Sequence, residues 1–374
     1  MKKDERLRRL AENVLRRSIG LKKGEKVYIE AFGVSTKALF EEFIAEAVRI
    51  GAVPFYFFND NAFIKSFAGE ASSEQMNAYG AMHRGIMEQC QAYVGIRGND
   101  DIFALSDLGS EQNKLWSENF GRQVHMETRI PKTRWCVLRY PNETMAAFSK
   151  MSVEAFENFY FDACLLDYAK MGRAMDALQH LMEKTDRVKI IAPETHLEFS
   201  IKGIPVLKSF GSHNIPDGEV FTAPVRNSIN GYVRFNTETT YMGTVFSNIF
   251  LKFENGKIVE GRSMLNDEKF QNILNIDNGS RYIGEFALGL NPYITQPILD
   301  ILFDEKIGGS FHMAIGYSYD DAFNGNKSSI HWDLVQMQDE KHGGGEIWFD
   351  DVLVRRNGRF VLPELEALNP ENLR

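Results

Sequence analysis

KVYIEAFGVSTKALFEEFIAEAVRIGAVPFYFF, residues 26–58, decides the fold class. KVYIEAF (26–32) is an apolar run of strand length, rich in aromatic and β-branched residues. Residues 36–50 then set Leu39, Phe40, Phe43, Ile44, Ala47 and Val48 on one face at helical spacing. Gly51 stands where a left-handed cap ends such a helix, and AVPFYFF (52–58) is a second strand-length run. Strand, helix, strand in this order implies a βαβ unit with parallel strands. The rhythm continues outward with a helix over 72–90, strands at AYVGIRG (92–98) and RWCVLRY (134–140), a helix over 152–185, and a fifth strand at VKIIAP (188–193). The runs are continuously apolar, as expected of a sheet covered on both faces.

Near residue 187 the texture changes. HLEFSIKG (196–203) alternates, and residues 231–263 are long and β-rich. Asn255-Gly256 and Asn357-Gly358 lie between apolar runs and predict type I′ hairpins. A helix is expected near 267–275, with strands near 281–289, 309–316, 330–338 and 346–354. The fold class is therefore α/β. An N-terminal α/β domain with a mostly parallel sheet (1–187) precedes a mainly antiparallel, β-rich α+β domain (188–374).

The 374 residues suit two domains, and 44% hydrophobic content is ample for large cores. A net charge of −8 argues against nucleic acid as a partner. No apolar run reaches membrane-spanning length, and the opening 1–20 segment lacks the apolar stretch of a secretory signal. Its Leu7, Leu10, Val14 and Leu15 predict an amphipathic surface helix. Cys90, Cys136 and Cys164 are odd in number and widely spaced, which suits a reduced, cytoplasmic chain without disulfides. No G-x-G-x-x-G follows the first strand, and Gly325-Asn326-Lys327-Ser328 lacks the leading glycine of a phosphate loop, so a nucleotide cofactor is not expected.

The chemistry concentrates in DEKIGGSFHMAIGYSYDDAFNGNKSSIHWDLVQMQ (304–338). His312 and His331 sit in strand-like runs, and His331 and Asp333 share a strand face because side chains alternate. Tyr319 lies seven residues after His312, and Glu219 and Glu285 stand beside glycines upstream. Two imidazoles, three carboxylates and a phenol suit one or two divalent metals. The plainer alternatives are a core histidine, an internal His–Asp hydrogen bond and turn glutamates. Spacing alone does not exclude them, for there is no HExxH or CxxC. Lys306 reads as a surface cation or a binder of a substrate carbonyl or carboxylate, and Asp304 and Glu305 read as structural.

NIPDGEVFTAP, GEFALGLNP, LFDEKIGGSFHMAIG and IHWD, in that order, together resemble the M29 metallo-aminopeptidases, as do LAENVLRRSIGLKKGEKVYIE and FENFYFDACLLDYAKM. The resemblance covers essentially the whole chain. It implies a dinuclear zinc or cobalt centre, with manganese also suited to such ligands. Motif by motif, the ligands become Glu219, Glu285, His312, Tyr319, His331 and Asp333, with Glu219, Glu285 and Tyr319 as the candidate catalytic groups. It further implies peptide substrates with a free N-terminus, an N-terminal domain that limits access, and a homodimer. His196 stands where the resemblance leads one to expect an acidic residue, and the 317–333 loop departs in length. Two rivals remain. One is a ring-cleaving dioxygenase with a single Fe(II) on His312, His331 and Asp333; the other is a binding protein with a vestigial metal site.

Overall fold

The computed structural model describes residues 4–98, 105 and 108–374; the first three residues of the opening segment lie outside these. The chain divides into two compact units, Met1–Leu165 with Gly211–Ile215, and Leu166–Phe210 with Pro216–Arg374.

In the first unit five strands form one parallel sheet. Its order is Val53–Asn59, Lys26–Phe32, Ala92–Arg97, Arg134–Arg139 and Asn214–Ile215. The middle strands are buried, whereas the edge strand leaves Val53 and Tyr56 exposed. Helix Lys37–Ile50 ends on Gly51 at φ 83°, a left-handed conformation that glycine adopts without a Cβ penalty. Its buried face is rotated from the expected stripe. Val48 is exposed, while Glu46 is buried and held by Arg16 (2.6 Å) and Arg49 (2.7 Å). Helix Ser73–Met87 opens with a capping box, in which Ser72 Oγ accepts from Gln75 N and Gln75 Oε1 accepts from Ser72 N.

Three expectations are corrected here. The run read as a fifth parallel strand, 188–193, is Arg187–Ala192 in an antiparallel sheet of the second unit, and Asn214–Ile215 takes its place. The helix read over 152–185 breaks into Val153–Cys164 and Tyr168–Lys184. The division of the chain falls at that break rather than at 187. Met171, Met175, Leu178 and Met182 of the second helix bury themselves in the core of the second unit, and that tertiary contact overrides sequence proximity.

The second unit holds two larger antiparallel sheets. One has eight strands in the order Lys257–Arg262, Ile249–Glu254, Asn230–Phe235, Thr195–Ser200, Arg187–Ala192, Glu346–Phe349, Val352–Arg356 and Arg359–Phe360. Both Asn-Gly turns adopt the double positive φ expected of type I′, 49° and 82° at Asn255-Gly256 and 50° and 76° at Asn357-Gly358. The strand expected over 346–354 is a hairpin, turning at Asp350 and Asp351 with positive φ.

The other sheet has five strands in the order His331–Met337, Ser310–Gly316, Ile283–Gly289, Glu219–Thr222 and Leu207–Ser209. Side-chain alternation gives it two unlike faces. Phe286, Leu288, Phe311, Met313 and Leu334 pack with Phe199, Val233, Phe235 and Leu251 of the eight-stranded sheet in one core. Phe199 meets Phe286 at 5.0 Å between ring centroids. Each such buried side chain contributes roughly 1.5–3 kcal/mol. The opposite face carries the polar residues.

Candidate metal centre

Three long strands set out the site in register. Glu285 pairs with Ala314, which pairs with Asp333; His312 pairs with Ala287; His331 pairs with Gly316; Glu219 pairs with Gly289. Directly paired residues share a face, with Cβ atoms roughly 5 Å apart. Each of these polar side chains thus has an alanine or glycine across the ladder on one side, while His312 has Val335 and Glu219 has Ser209 on the other. The small residues form a floor and leave the space above it to imidazoles and carboxylates.

His312 Nε2 lies 3.2 Å from Glu285 Oε1, 3.5 Å from Glu219 Oε2 and 3.8 Å from Asp333 Oδ1. His331 Nε2 lies 3.5 Å from Asp333 Oδ1 and 3.6 Å from Glu285 Oε2. The other nitrogen of each ring donates to a backbone carbonyl, His312 Nδ1 to Glu305 O (3.0 Å) and His331 Nδ1 to Tyr317 O (2.8 Å). A carbonyl can only accept, so Nε2 of each ring faces the carboxylates, donating its hydrogen to them when the ring is charged and offering a lone pair to a metal when the ring is neutral. Tyr319 packs its ring 4.3 Å from that of His331 and is 46% exposed, at the rim of the cluster.

The structure therefore gathers Glu219, Glu285, His312, His331 and Asp333 and sets Tyr319 beside them. It adds Asp217, which the sequence reading missed, and draws in Lys306 and Glu305, which were read as a surface cation or substrate binder and as a structural residue. Lys306 is buried rather than on the surface, and its Nζ meets Glu219 Oε1 (2.5 Å), Glu305 Oε1 (2.7 Å) and Asp217 Oδ1 (3.6 Å). Glu305 also belongs to the site, with a carboxylate oxygen within 4.8 Å of ligand atoms of His312 and Asp333. Asp217 is tied in through Lys306. The spacing Asp217-Gly218-Glu219 was the available signal, whereas DEK at 304–306 looks like an ordinary polar turn. Asp304 is structural as expected, its Oδ1 accepting from Ile298 N (2.7 Å). His196 is on the eight-stranded sheet, exposed beside Glu198 and outside the cluster.

Burial of charge perturbs several of these groups. Burial, with the charges of Glu219 and Asp333, pushes the Glu285 carboxyl up against its hydrogen bond from His312. Burial likewise lifts Glu305, to about 8. For the histidines burial works the other way and loses: Glu285, Glu219 and Asp333 push His312 up to about 9, and Asp333 and Glu285 push His331 to about 10. Two carboxylate oxygens, Glu219 Oε2 and Asp333 Oδ1, are buried without any hydrogen-bond donor. An orphaned buried carboxylate oxygen is costly unless a cation faces it. The donor set of two imidazole nitrogens and several carboxylates suits a divalent metal ion. The residues present fit such a metal.

The family model described as "Thermophilic metalloprotease (M29)" matches residues 3–360. Aminopeptidase T of Thermus thermophilus is 37% identical over 167 residues, 40% of this chain and 40% of its own. Aminopeptidase AmpS of Bacillus subtilis is 32% identical over 164 residues, 43% of this chain and 39% of its own. These alignments span about two fifths of those relatives' length. Aminopeptidase PepS of Streptococcus thermophilus aligns over 328 residues at 24% identity, 74% of this chain and 78% of its own. The solved structure of wild-type AmpT from Thermus thermophilus superposes with a TM-score of 0.80 at 21% identity, covering 96% of this chain and 99% of that one. A 2,5-dihydroxypyridine dioxygenase from Pseudomonas putida KT2440 shares the fold at a TM-score of 0.62 and 15% identity, covering 96% of this chain and 98% of that one.

Proposed function

The chain belongs to the M29 thermophilic metalloprotease family, and from that premise we propose that it is an aminopeptidase with a dinuclear metal centre on Glu219, Glu285, His312, Tyr319, His331 and Asp333. One observation carries the number of ions. Asp217, Glu219, Glu285, Glu305 and Asp333 are five carboxylates against the one ammonium of Lys306, leaving four negative charges once metal displaces the protons that the raised carboxyls and imidazoles hold without it. Two divalent cations balance that charge; a single one leaves half of it in a buried setting.

When bound, zinc, cobalt or manganese supplies Lewis acidity and an acidified water. The chain's own residues do the rest. Glu219 has one oxygen committed to Lys306, whereas both oxygens of Glu285 face imidazoles. Glu285 therefore takes the proton of the attacking water and returns it to the leaving amine. Tyr319, at the rim beside His331, either ligates metal through its phenol oxygen or donates its hydroxyl hydrogen to the oxygen on which charge develops. The carbonyls of Glu305 and Tyr317 keep both rings in one tautomer throughout. The substrates are peptides with a free N-terminus, a reading supported by the aminopeptidase names of the relatives. A homodimer and a cytoplasmic setting complete the proposal. The three cysteines are buried and in no disulfide, as suits a reducing compartment, and no helix among the described residues is long and apolar enough to cross a membrane.

The test is hydrolysis of leucine- and arginine-p-nitroanilide with chelator, then with Zn²⁺, Co²⁺ or Mn²⁺ returned, alongside elemental analysis. Activity lost to chelator and restored by about two equivalents of metal supports the proposal. One iron per chain with no peptidase activity turns the reading to the Fe(II) dioxygenase, which needs only His312, His331 and Asp333 and whose fold the dihydroxypyridine enzyme shares. No metal at all turns it to a binding protein.

A further inference from the structure

Lys306 is a buried cation that no step of the proposed reaction uses. It is 2% exposed, and an ammonium carries three N–H donors. Three carboxylates surround it, those of Glu219, Glu305 and Asp217. The backbone holds it there, for Lys306 N donates to Phe303 O (2.9 Å) and Lys306 O accepts from Asn291 N (3.0 Å). The residue before it, Glu305, gives its carbonyl to His312 Nδ1. The turn between helix Ile301–Asp304 and strand Ser310–Gly316 thus places a fixed positive charge, a carboxylate and the aim of one imidazole in a single rigid unit.

The committed oxygen of Glu219 is Oε1; the oxygen left over, Oε2, is the buried orphan 3.5 Å from His312 Nε2. We propose that Lys306 is a positioning residue that serves as a built-in third cation of the centre. It leaves Glu219 one oxygen for metal, and it offsets carboxylate repulsion before any metal arrives. This rests on the metal reading above. A metal-free pocket of five carboxylates has only Lys306 and the imidazoles against it, while a loaded pocket has the metal as well. The charge of Lys306 therefore matters most to the metal-free protein.

Thermal unfolding of the full chain, with chelator and then with two equivalents of Zn²⁺ or Mn²⁺, reads this directly. In Lys306→Met the metal-induced rise in Tm exceeds that of the wild type by about 5 °C or more, because removal of one partner from a buried ion pair is felt chiefly where nothing replaces it. Lys306→Arg, which keeps the charge, shows the wild-type rise. If Lys306→Met unfolds without metal, Lys306→Gln, with donors but no charge, is compared in the same way. Equal loss of Tm with and without metal overturns the proposal, since a residue that only packs lowers both states alike. A wild type with no metal-induced rise overturns the metal reading itself, and this inference with it.

Discussion

Glu30 and Glu219 are both buried glutamates on strands, one in each unit, and their surroundings end differently. Glu30 is fully buried on Lys26–Phe32. Asn59 Nδ2 donates to its Oε1 (3.3 Å); Tyr93 OH (2.8 Å) and Arg97 Nη2 (3.2 Å) donate to its Oε2. Burial works against its charge, yet Arg97, His125 and Tyr93 prevail and hold the carboxyl below its usual range. Glu219 shares its lysine with two other carboxylates, clusters with Glu285, and keeps an oxygen with no donor. A buried carboxylate whose neighbours satisfy every oxygen is part of the scaffold. A cluster that leaves charge and lone pairs unanswered is built for something that arrives later.

The largest expected effect tests the second half of that contrast. Glu285→Gln and His331→Ala each lower peptidase activity by about 10³-fold or more, as loss of a preorganised catalytic group does. Chelated Glu285→Gln unfolds at a Tm no lower than the chelated wild type, because it removes one of several repelling charges. Full activity in either variant sinks the site assignment. A collapse of Tm in Glu285→Gln instead makes the cluster a scaffold after all.

Glu30→Gln should do the reverse. It strips the charge from a hydrogen-bonded carboxylate and costs about 3 kcal/mol in urea unfolding, leaving a half-buried Arg97 without its carboxylate. The folded fraction keeps wild-type kcat. Lost activity with unchanged stability breaks the contrast by making the first cluster functional.

The smallest effect sharpens it at a half-buried carboxylate. Asp277 accepts from Gly279 N, Ser280 N, Ser328 Oγ, Ser329 N and Ser329 Oγ. Slight burial opposes its charge, but the hydrogen bonds from Ser329, Ser328 and Gly279 hold it at about 2, against 3.8 ordinarily. The folded value lies below the unfolded one, so its contribution is full above pH 4 and is lost as pH falls toward 2. Asp277→Asn should flatten the wild-type stability slope across that window by less than about 1 kcal/mol. An unchanged slope means that the hydroxyls do not hold the carboxylate.

What the sequence disclosed follows the range of the forces involved. The parallel strands and their helices announce themselves in apolar runs, in the Ser72–Gln75 box and in Gly51, all local signals. Asn214–Ile215 has only two residues to pair, too few for any period, and Arg187–Ala192 has the same apolar texture as a parallel strand. Which sheet each joins is a tertiary choice. In the site, His331 and Asp333 are legible as an i, i+2 pair, and the GEFALG and HMAIG runs carry the small residues that make room for them. Lys306 was illegible because what distinguishes it from a surface lysine is Glu219, far away in sequence.

Both imidazoles are aimed by carbonyls, not by side chains, and those carbonyls belong to Glu305 and Tyr317 in connecting segments outside the strands. The ladder supplies the donors while the connections steer them. A change of one peptide plane at 305 or 317 swivels a ring with every ligand still in place. Under the metal reading proposed above, such a centre is retuned by altering loops alone, and a catalogue of its side chains never registers the change.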